Sequence, residues 1–442
     1  GRVVEHSENG LGIAVLKGVA IGGVWDHQAG SRPRRSPMSP RRAPSTRAVR
    51  SARKRADGKV RRVGVAHEQV HALVDELFGE DVHAQRVLSV GNAVAGVIEA
   101  GALSIHAIGR GLAAVRSLTD KHAIKQVDRL VGNEKLDAEV LEAVWTKTML
   151  AGRDDVFVSL DWTEFDPDDH SMLVLSLEVG RGRALPLVWK TVVKSALKGN
   201  RNNHEDALLS RFRLSVPDGV RVTVVADRGF SDQALYEFIT DELDMDFIIR
   251  CRADVYVTDA NGERRPAGEW VRANGRLRAL RGASVTTHQT PVGMVVLVQE
   301  KRMQDSWCLA TSRDDLTGAE VKQRYGKRFT CEETFRDVKD WRYGLGMKWQ
   351  KVSKPERRDR LMLMAVLAVH LLTLLGEAGE RAGLDRLLKT NTSKKRTLSL
   401  LRQGMRWYAL IPNMPEARLI ELMEAFATCL EADPVATVLL NA

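Results

Sequence analysis

The stretch Val156-Phe-Val-Ser-Leu-Asp161 has the apolar and β-branched residues expected of a buried strand, and it ends on an acid. A second run, Val222-Thr-Val-Val-Ala-Asp227, has the same form. Similar patterns predict strands at 172–179, 184–193 and 246–250, with helical patterns at 205–212 and 232–243. Three consecutive strands followed by strand–helix alternation predict an α/β fold, a mixed sheet flanked by helices.

Residues 252–304 form a further strand-rich stretch. Turn signals interrupt it at Asn261-Gly262, at Asn274-Gly275 and at 291–293. We therefore expect an inserted β-rich subdomain there. A core strand is predicted at 306–311, and helical spacing extends from 317 to about 379.

Asp161 and Asp227 both follow buried strands directly, at the carboxyl edge where open α/β sheets place their ligands. One such acid means little, because strands often end on Asp for reasons of turn geometry. Two of them in one sheet indicate a cation site.

A third element is a charged helix that begins near Tyr325. Tyr325, Arg328, Glu332 and Lys339 lie on it, and no proline interrupts 325–341. At about 100° per residue, these four positions fall within about 60° of one helix face. Two cations therefore flank an acid. The alternative is an amphipathic surface helix with incidental charges, since other charged residues surround it.

Three carboxylates supply the hard oxygen ligands that Mg²⁺ or Mn²⁺ prefers. We expect Asp161, Asp227 and Glu332 to converge on a common point and to hold two ions, an arrangement suited to in-line displacement at a phosphodiester. Arg328 and Lys339 would then contact the phosphates.

The region 64–150 has the apolar spacing of several short helices. The helix predicted at 120–131 presents Lys121, Lys125 and Arg129 at intervals of four residues, a basic stripe on one face. A DNA-contacting helix pair needs such a face. The alternative is the solvated surface of an ordinary helical bundle.

The first 63 residues differ from the rest. Thirteen basic residues between 31 and 63 stand against a single acid, Asp57, and apolar periodicity is absent. We expect a disordered basic arm that could hold DNA through its phosphates. The alternative is non-native upstream sequence, because the chain begins with Gly1 and its first methionine is Met38.

The formal net charge of +10 points to a polyanionic partner, of which nucleic acid is the commonest. Four scattered cysteines suit a reducing cytosol and argue against disulfides and structural zinc. The apolar segment Leu361–Leu375 is short for a bilayer span and is expected to be a buried helix. No feature indicates secretion, so we expect a cytoplasmic protein with no membrane partner.

The sequence resembles the bacterial insertion-sequence DDE transposases whose signature is Tyr-x2-Arg-x3-Glu-x6-Lys. The positions that match are Asp161 in Leu-Asp-Trp-Thr, Asp227 in Ala-Asp-Arg-Gly-Phe, and Tyr325, Arg328, Glu332 and Lys339 at every spacing of the signature. With other matching stretches, the resemblance covers roughly residues 65 to 380.

The resemblance implies an RNase H-like mixed sheet flanked by helices, with an inserted β-rich subdomain and helical N- and C-terminal regions. It implies that Asp161, Asp227 and Glu332 are catalytic and bind Mg²⁺ (or Mn²⁺), and that Tyr325, Arg328 and Lys339 contact the DNA. Its members act as dimers on terminal inverted repeats. Relatives stack aromatics on a flipped base during hairpin formation; here Phe329 replaces the expected Trp and could still stack. Trp270 is a second stacking candidate, and its alternative is a buried sheet tryptophan.

We therefore predict a cut-and-paste DNA transposase acting on double-stranded DNA, both transposon terminal inverted repeats and target DNA, as a homodimer in the synaptic complex. The alternatives are a catalytically inactive DNA-binding derivative and a nuclease of the same fold without strand transfer. The predicted segments are a basic arm at 1–63, a helical DNA-binding domain at 64–150, a core at 151–251 and 305–380, a β-rich insertion at 252–304, and a helical region at 381–442 that is a candidate for dimerisation.

Overall fold

The computed structural model describes residues 66–301 and 303–436. The predicted basic arm at 1–63 lies outside the described residues. The chain divides into two compact units. Residues 74–368 form one, and the described residues 66–73 and 369–436 belong to the other.

In the described part of the chain, five helices precede the sheet, where the apolar spacing predicted several short helices. They are α1 (His67–Phe78), α2 (Ala84–Ala100), α3 (Ile105–Arg116), α4 (Asp120–Val131) and α5 (Ala138–Leu150). Helices α3 and α4 approach closely at Gly109, where an added Cβ would lie 2.5 Å from the Cα of Ile124. Only glycine fits this contact, so the two helices pack as a tight pair.

Twelve strands and seven further helices follow among the described residues. In chain order the strands are β1 (Asp155–Phe165), β2 (His170–Glu178), β3 (Ala184–Val193), β4 (Arg221–Ala226), β5 (Asp246–Cys251), β6 (Tyr256–Thr258), β7 (Arg264–Pro266), β8 (Arg278–Arg281), β9 (Ser284–Val285), β10 (Thr290–Pro291), β11 (Met294–Val298) and β12 (Trp307–Thr311). The helices are α6 (Arg201–Arg213), α7 (Gln233–Glu237), α8 (Gly318–Lys327), α9 (Phe329–Lys339), α10 (Pro355–Arg381), α11 (Leu400–Leu410) and α12 (Glu416–Glu431).

Eight strands form the main sheet in the order β3-β2-β1-β4-β5-β12-β11-β8. Strand β4 runs parallel to both β1 and β5, and the other neighbours are antiparallel. The apolar core on one face contains Phe157, Val225, Ile248 and Tyr325. The predicted α/β fold, a mixed sheet flanked by helices with helical regions at both ends, is confirmed.

The β-rich stretch is divided between two sheets. Strands β6, β7, β9 and β10 form a separate sheet in the order β10-β9-β6-β7. Strands β8 and β11 instead extend the main sheet, because β11 pairs with both β12 and β8. Turn signals gave the positions of the bends, but they carry no information on which sheet each strand joins.

Side chains cover the edge strand β3, whose outward backbone groups would otherwise be unpaired. Trp145 Nε1 donates to the carbonyl of Pro186 at 2.9 Å. Glu142 accepts from the backbone N–H of Trp189 at 3.1 Å, and Asp359 accepts from that of Thr191 at 2.9 Å. Helices α5 and α10 thus seal this edge through polar side chains.

Helix α10 is the described helix that is long and apolar enough to cross a membrane, but 83% of its apolar window is buried inside the protein. This burial is typical of a core helix, and the prediction for Leu361–Leu375 is confirmed. Within α10, the imidazole of His370 lies 3.0 Å from the carboxylate of Asp433, and both are buried.

Candidate active site

Strand register places the two aspartates side by side. The last residue pair between the parallel strands β1 and β4 is Leu160 with Ala226, and each of these is followed directly by an aspartate. Neighbouring strands lie about 4.8 Å apart, so Asp161 and Asp227 are adjacent at this edge. Strand β1 then continues to Phe165 against β2 alone. Asp161 therefore lies within a strand, and its prediction as a strand end is wrong, although the pairing with β4 does end there.

The Asp227 side chain is fixed by the turn that follows it. Its Oδ1 accepts from the backbone N–H of Gly229 at 2.7 Å, which caps a short 3₁₀ turn at 228–230. The sequence Asp-Arg-Gly-Phe thus holds the carboxylate at the end of β4.

The predicted single helix over 325–341 is two helices, α8 and α9, that meet at Arg328. Arg328 donates its backbone N–H to the carbonyl of Tyr325, and its own carbonyl accepts from Cys331, both at 3.0 Å. These three-residue spacings are of the 3₁₀ type and mark a local tightening of the chain. The backbone of Arg328 stays in the right-handed helical region, so Glu332 still follows one turn later.

The Arg328 guanidinium bridges two of the three predicted carboxylates. One nitrogen, Nη1, lies 3.1 Å from Asp161 Oδ2, and Nη2 lies 2.8 Å from Glu332 Oε1. The Arg328 side chain is only 6% exposed. Its Nε is buried and has no hydrogen-bond partner among the described residues.

Burial raises the pKa of the Asp161 carboxyl, and the guanidinium of Arg328 opposes that rise. The charges of Asp227 and Glu332 raise this pKa further. The three acids therefore act on one another electrostatically. The Cys331 thiol also donates to Asp161 Oδ2 at 3.5 Å.

The expected convergence of the three carboxylates is not observed. Among residues 66–301 and 303–436, no group of three or more His, Cys, Asp or Glu side chains is placed to hold a metal ion. The physical reason is that the guanidinium of Arg328 lies between Asp161 and Glu332. The donor set nevertheless suits Mg²⁺ or Mn²⁺, because it consists of hard oxygen ligands, and a cation would relieve the mutual repulsion.

Lys339 lies farther along β1 than the carboxylates. Its Nζ donates to Thr163 Oγ1 at 2.9 Å and to the carbonyl of Glu164 at 2.6 Å. It also lies 4.8 Å from the ring centre of Phe165. Burial lowers the pKa of Lys339 to about 8, and the nearby charge of Lys348 adds to that effect.

The aromatic candidates differ in exposure. Tyr325 is 1% exposed and packs edge-on against Trp307, so its predicted DNA contact stays a prediction. Phe329 is 42% exposed and lies 5.0 Å below the guanidinium of Arg328. Trp307 reaches the same place from β12, with its ring 6.2 Å from that of Phe329. Trp270 is buried, as its alternative predicted, but it ends a 3₁₀ turn at 267–270 and does not lie in a strand; two guanidiniums lie within 5 Å of its ring centre.

The basic stripe is exposed on α4. Lys121 and Lys125 line a groove of about 870 Å³ together with Lys351 and apolar residues of α3 and α4. The groove lies within the same compact unit as the carboxylates.

Two residues next to the site were not predicted from the sequence. Cys331 is next to Glu332 in sequence and points to Asp161, and Trp307 begins a strand that is distant in sequence from Phe329. Cys331 follows Arg328 by about one helical turn, and this spacing could have indicated that it lies near the site. No feature of the sequence indicated that Trp307 lies there.

The fold and the site together define a class. A mixed sheet with adjacent aspartates on two parallel strands, followed by a helix that carries a glutamate, is the RNase H-like arrangement of DDE enzymes.

A comparison with known protein families finds a match over part of the chain. Residues 190–371 match the model described as "Transposase DDE domain". These residues are therefore similar to a transposase DDE domain, which supports the predicted relation to the insertion-sequence DDE transposases, while the finer signature group stays a prediction. Asp227, Arg328, Glu332 and Lys339 lie within the matched residues, and Asp161 lies before them. No curated protein matches the chain.

Proposed function

We propose that this chain binds terminal inverted repeats and catalyses cut-and-paste transposition by metal-dependent phosphodiester hydrolysis and strand transfer. Asp161, Asp227 and Glu332 are the catalytic residues and hold Mg²⁺ or Mn²⁺, in two ions. The observation that carries the proposal is the register that sets Asp161 beside Asp227, with Arg328 linking Asp161 to Glu332.

The divalent ions, when bound, would activate a water or 3′-hydroxyl oxygen and stabilise the leaving oxygen. The chain's own part is to hold the phosphate in line. Arg328 has a spare donor, its buried Nε, and can exchange one carboxylate for a phosphate oxygen. Lys339 adds a cation farther along β1, and Phe329 offers an exposed ring for an unpaired base.

End recognition is assigned to a different part of the unit. The basic stripe of α4 lies beside an apolar groove and away from the carboxylates in sequence, which suits DNA contacts that position the duplex. We assign the functional complex to a homodimer on double-stranded DNA in the bacterial cytoplasm, associated with the nucleoid. The 381–442 region is the candidate for dimerisation.

The second candidate is a DNA-binding derivative without catalysis. One observation favours it: the guanidinium between Asp161 and Glu332 neutralises two carboxylates without any metal.

Incubation with DNA carrying the element's own ends and Mn²⁺, followed by sequencing of the products, separates the candidates. We expect cleavage at the ends and new junctions with target DNA. Cleavage without junctions would indicate a nuclease, and binding without cleavage would indicate the inactive derivative.

A further inference from the structure

A cleft rich in arginine lies beside the carboxylates at the same edge of the sheet. It has a volume of about 420 Å³, and its lining includes Arg228, Arg250, Arg252, Gln299, Asp305 and Ser306. We name it the arginine cleft. Arg228 follows Asp227 directly in the chain, but the cleft contains none of the proposed metal ligands.

The side chains of the arginine cleft are arranged around an anionic oxygen. Arg228 Nη1 lies 3.9 Å and Arg250 Nη2 lies 3.5 Å from the same atom, Oδ2 of Asp305. Both distances are too long for good hydrogen bonds, so Asp305 holds the guanidiniums loosely. Among the lining residues three arginines stand against this one carboxylate, which leaves an excess of positive charge.

The guanidinium of Arg250 is held in position by the protein itself before any ligand binds. Arg250 Nη2 donates to the backbone carbonyl of Ser306 at 3.0 Å, and its side chain is 17% exposed. Arg228 is 60% exposed and Arg252 is also exposed, so both can turn toward a ligand. A planar guanidinium recognises phosphate oxygens through two parallel donors.

Strand order sets the distance between the arginine cleft and the carboxylates. Ala226 of β4 pairs with Ile249 of β5, so Asp227 and Arg250 lie at the same level near the same edge of the sheet. Strand β5 is two strands from β1, roughly 10 Å. One strand of duplex DNA carries a phosphate about every 3.4 Å of helix axis, so the cleft lies roughly three phosphates from Asp161.

We propose that the arginine cleft binds a backbone phosphate of the DNA strand that passes through the active site, a few nucleotides from the scissile bond. Asp305 occupies the phosphate position in the DNA-free protein and competes with it. This inference rests on the proposed function, because it requires that a DNA strand lie across the carboxylates.

The test measures binding of the full chain to a short fluorescent duplex of arbitrary sequence, in EDTA, over a series of chloride concentrations. Arg228→Gln combined with Arg252→Gln should weaken binding several-fold and reduce the salt slope by about two, one for each contact. Arg221→Gln is the matched control, since Arg221 is an exposed arginine at the opposite end of β4, and it should leave the slope nearly unchanged.

Asp305→Asn gives the opposite sign and cannot be explained by misfolding. It should tighten binding several-fold, more than Asp241→Asn, which removes one exposed acid elsewhere. Inorganic phosphate should displace the duplex no more than chloride does at the same ionic strength. Stronger displacement that the arginine variants abolish would reassign the cleft to a free anion and overturn the proposal.

The outcomes separate this inference from the proposed function. If the unsubstituted chain shows no salt-dependent DNA binding, the proposed function itself fails. If it binds DNA but the arginine variants match Arg221→Gln, and Asp305→Asn matches Asp241→Asn, only the arginine cleft is wrong.

Discussion

At Arg328 a single guanidinium satisfies two carboxylates of the proposed site. Such a buried arrangement costs desolvation and is favourable only while all partners are present. Asp161 is the more buried of the two acids, so it depends more on the guanidinium than Glu332 does. Arg328 therefore holds the two carboxylates in place, and under the proposed function its charge would lie beside the bond that is cut.

Removal of Arg328 should slow the chemistry more than it weakens binding. In Arg328→Ala, single-turnover cleavage on saturating protein should fall on the order of a hundredfold or more, because a donor to the developing charge is lost. Arg328→Lys keeps the charge but loses the forked geometry and should recover only part of the rate. Thermal melts of both variants report whether the fold survives. A folded Arg328→Ala protein that cleaves at the normal rate would contradict this role.

The sequence revealed the residues of this site but not its metal-free geometry. Spacing alone put Arg328 and Glu332 one turn apart, and two strand ends gave the aspartates. The sequence could not show that the Arg328 side chain would be buried. Its guanidinium contacts both Glu332, four residues later on the helix, and Asp161, which lies on a strand distant in sequence. Such a choice depends on three-dimensional distances.

Among the elements, the edge strand β3 shows how two helices seal the main sheet. Asp359 on α10 is buried, and burial raises the pKa of its carboxyl to about 7, although it accepts from Thr191. Burial also raises the pKa of the neighbouring Glu142 carboxyl well above its usual value. The charge of Arg211 partly offsets the cost of burying both acids, and that of Lys190 does so for Asp359.

Asp359→Asn should remove a pH dependence of stability. The folded-state pKa of about 7 lies above the unfolded value of 3.8, so Asp359 favours the folded state below about pH 4, and that contribution is lost as pH rises through about 7. Asn keeps an acceptor for the backbone N–H of Thr191. The variant should therefore be about as stable as the wild type at about pH 4 and more stable than it at about pH 8, by up to a few kcal/mol, which thermal melts at the two pH values measure.

The control for this experiment is Glu356→Gln on the same helix, which should leave the pH profile unchanged. Asp359→Asn also removes a charge that raises the pKa of Glu142, which changes the pH profile in the same direction. Equal melting temperatures for Asp359→Asn and the wild type at both pH values would show that the carboxyl is not buried as described.

Element patterns were the most predictable level of this fold. Period and turn residues gave β3 and α4 at their observed bounds. The sheet edge was not predictable, because Glu142 and Asp359 lie on helices far apart in sequence and each looks like an ordinary polar helix residue. The division of the β-rich stretch between two sheets depends likewise on pairing partners that local sequence does not specify.

At the scale of the molecule, one compact unit holds both the basic stripe and the carboxylates. We expect the two surfaces to divide binding from chemistry. Replacing Lys121, Lys125 and Arg129 together with Gln should weaken DNA binding across sequences and reduce the salt slope by about three. The single-turnover rate at saturating protein should stay within about twofold of wild type. A large loss of rate on fully bound DNA would place the stripe in the chemistry instead.

The central claim is that Glu332 completes the metal-binding carboxylates. The most direct measurement compares Glu332→Gln with Glu333→Gln in single-turnover cleavage of DNA carrying the element's ends, with Mn²⁺ and saturating protein. Glu333 is the next residue on α9 and pairs with Arg336 at 2.8 Å, so it controls for loss of a helix carboxylate. We predict that Glu332→Gln binds the DNA but loses cleavage by about a thousandfold or more, while Glu333→Gln stays near the wild-type rate. Cleavage by Glu332→Gln at the wild-type rate would contradict the account.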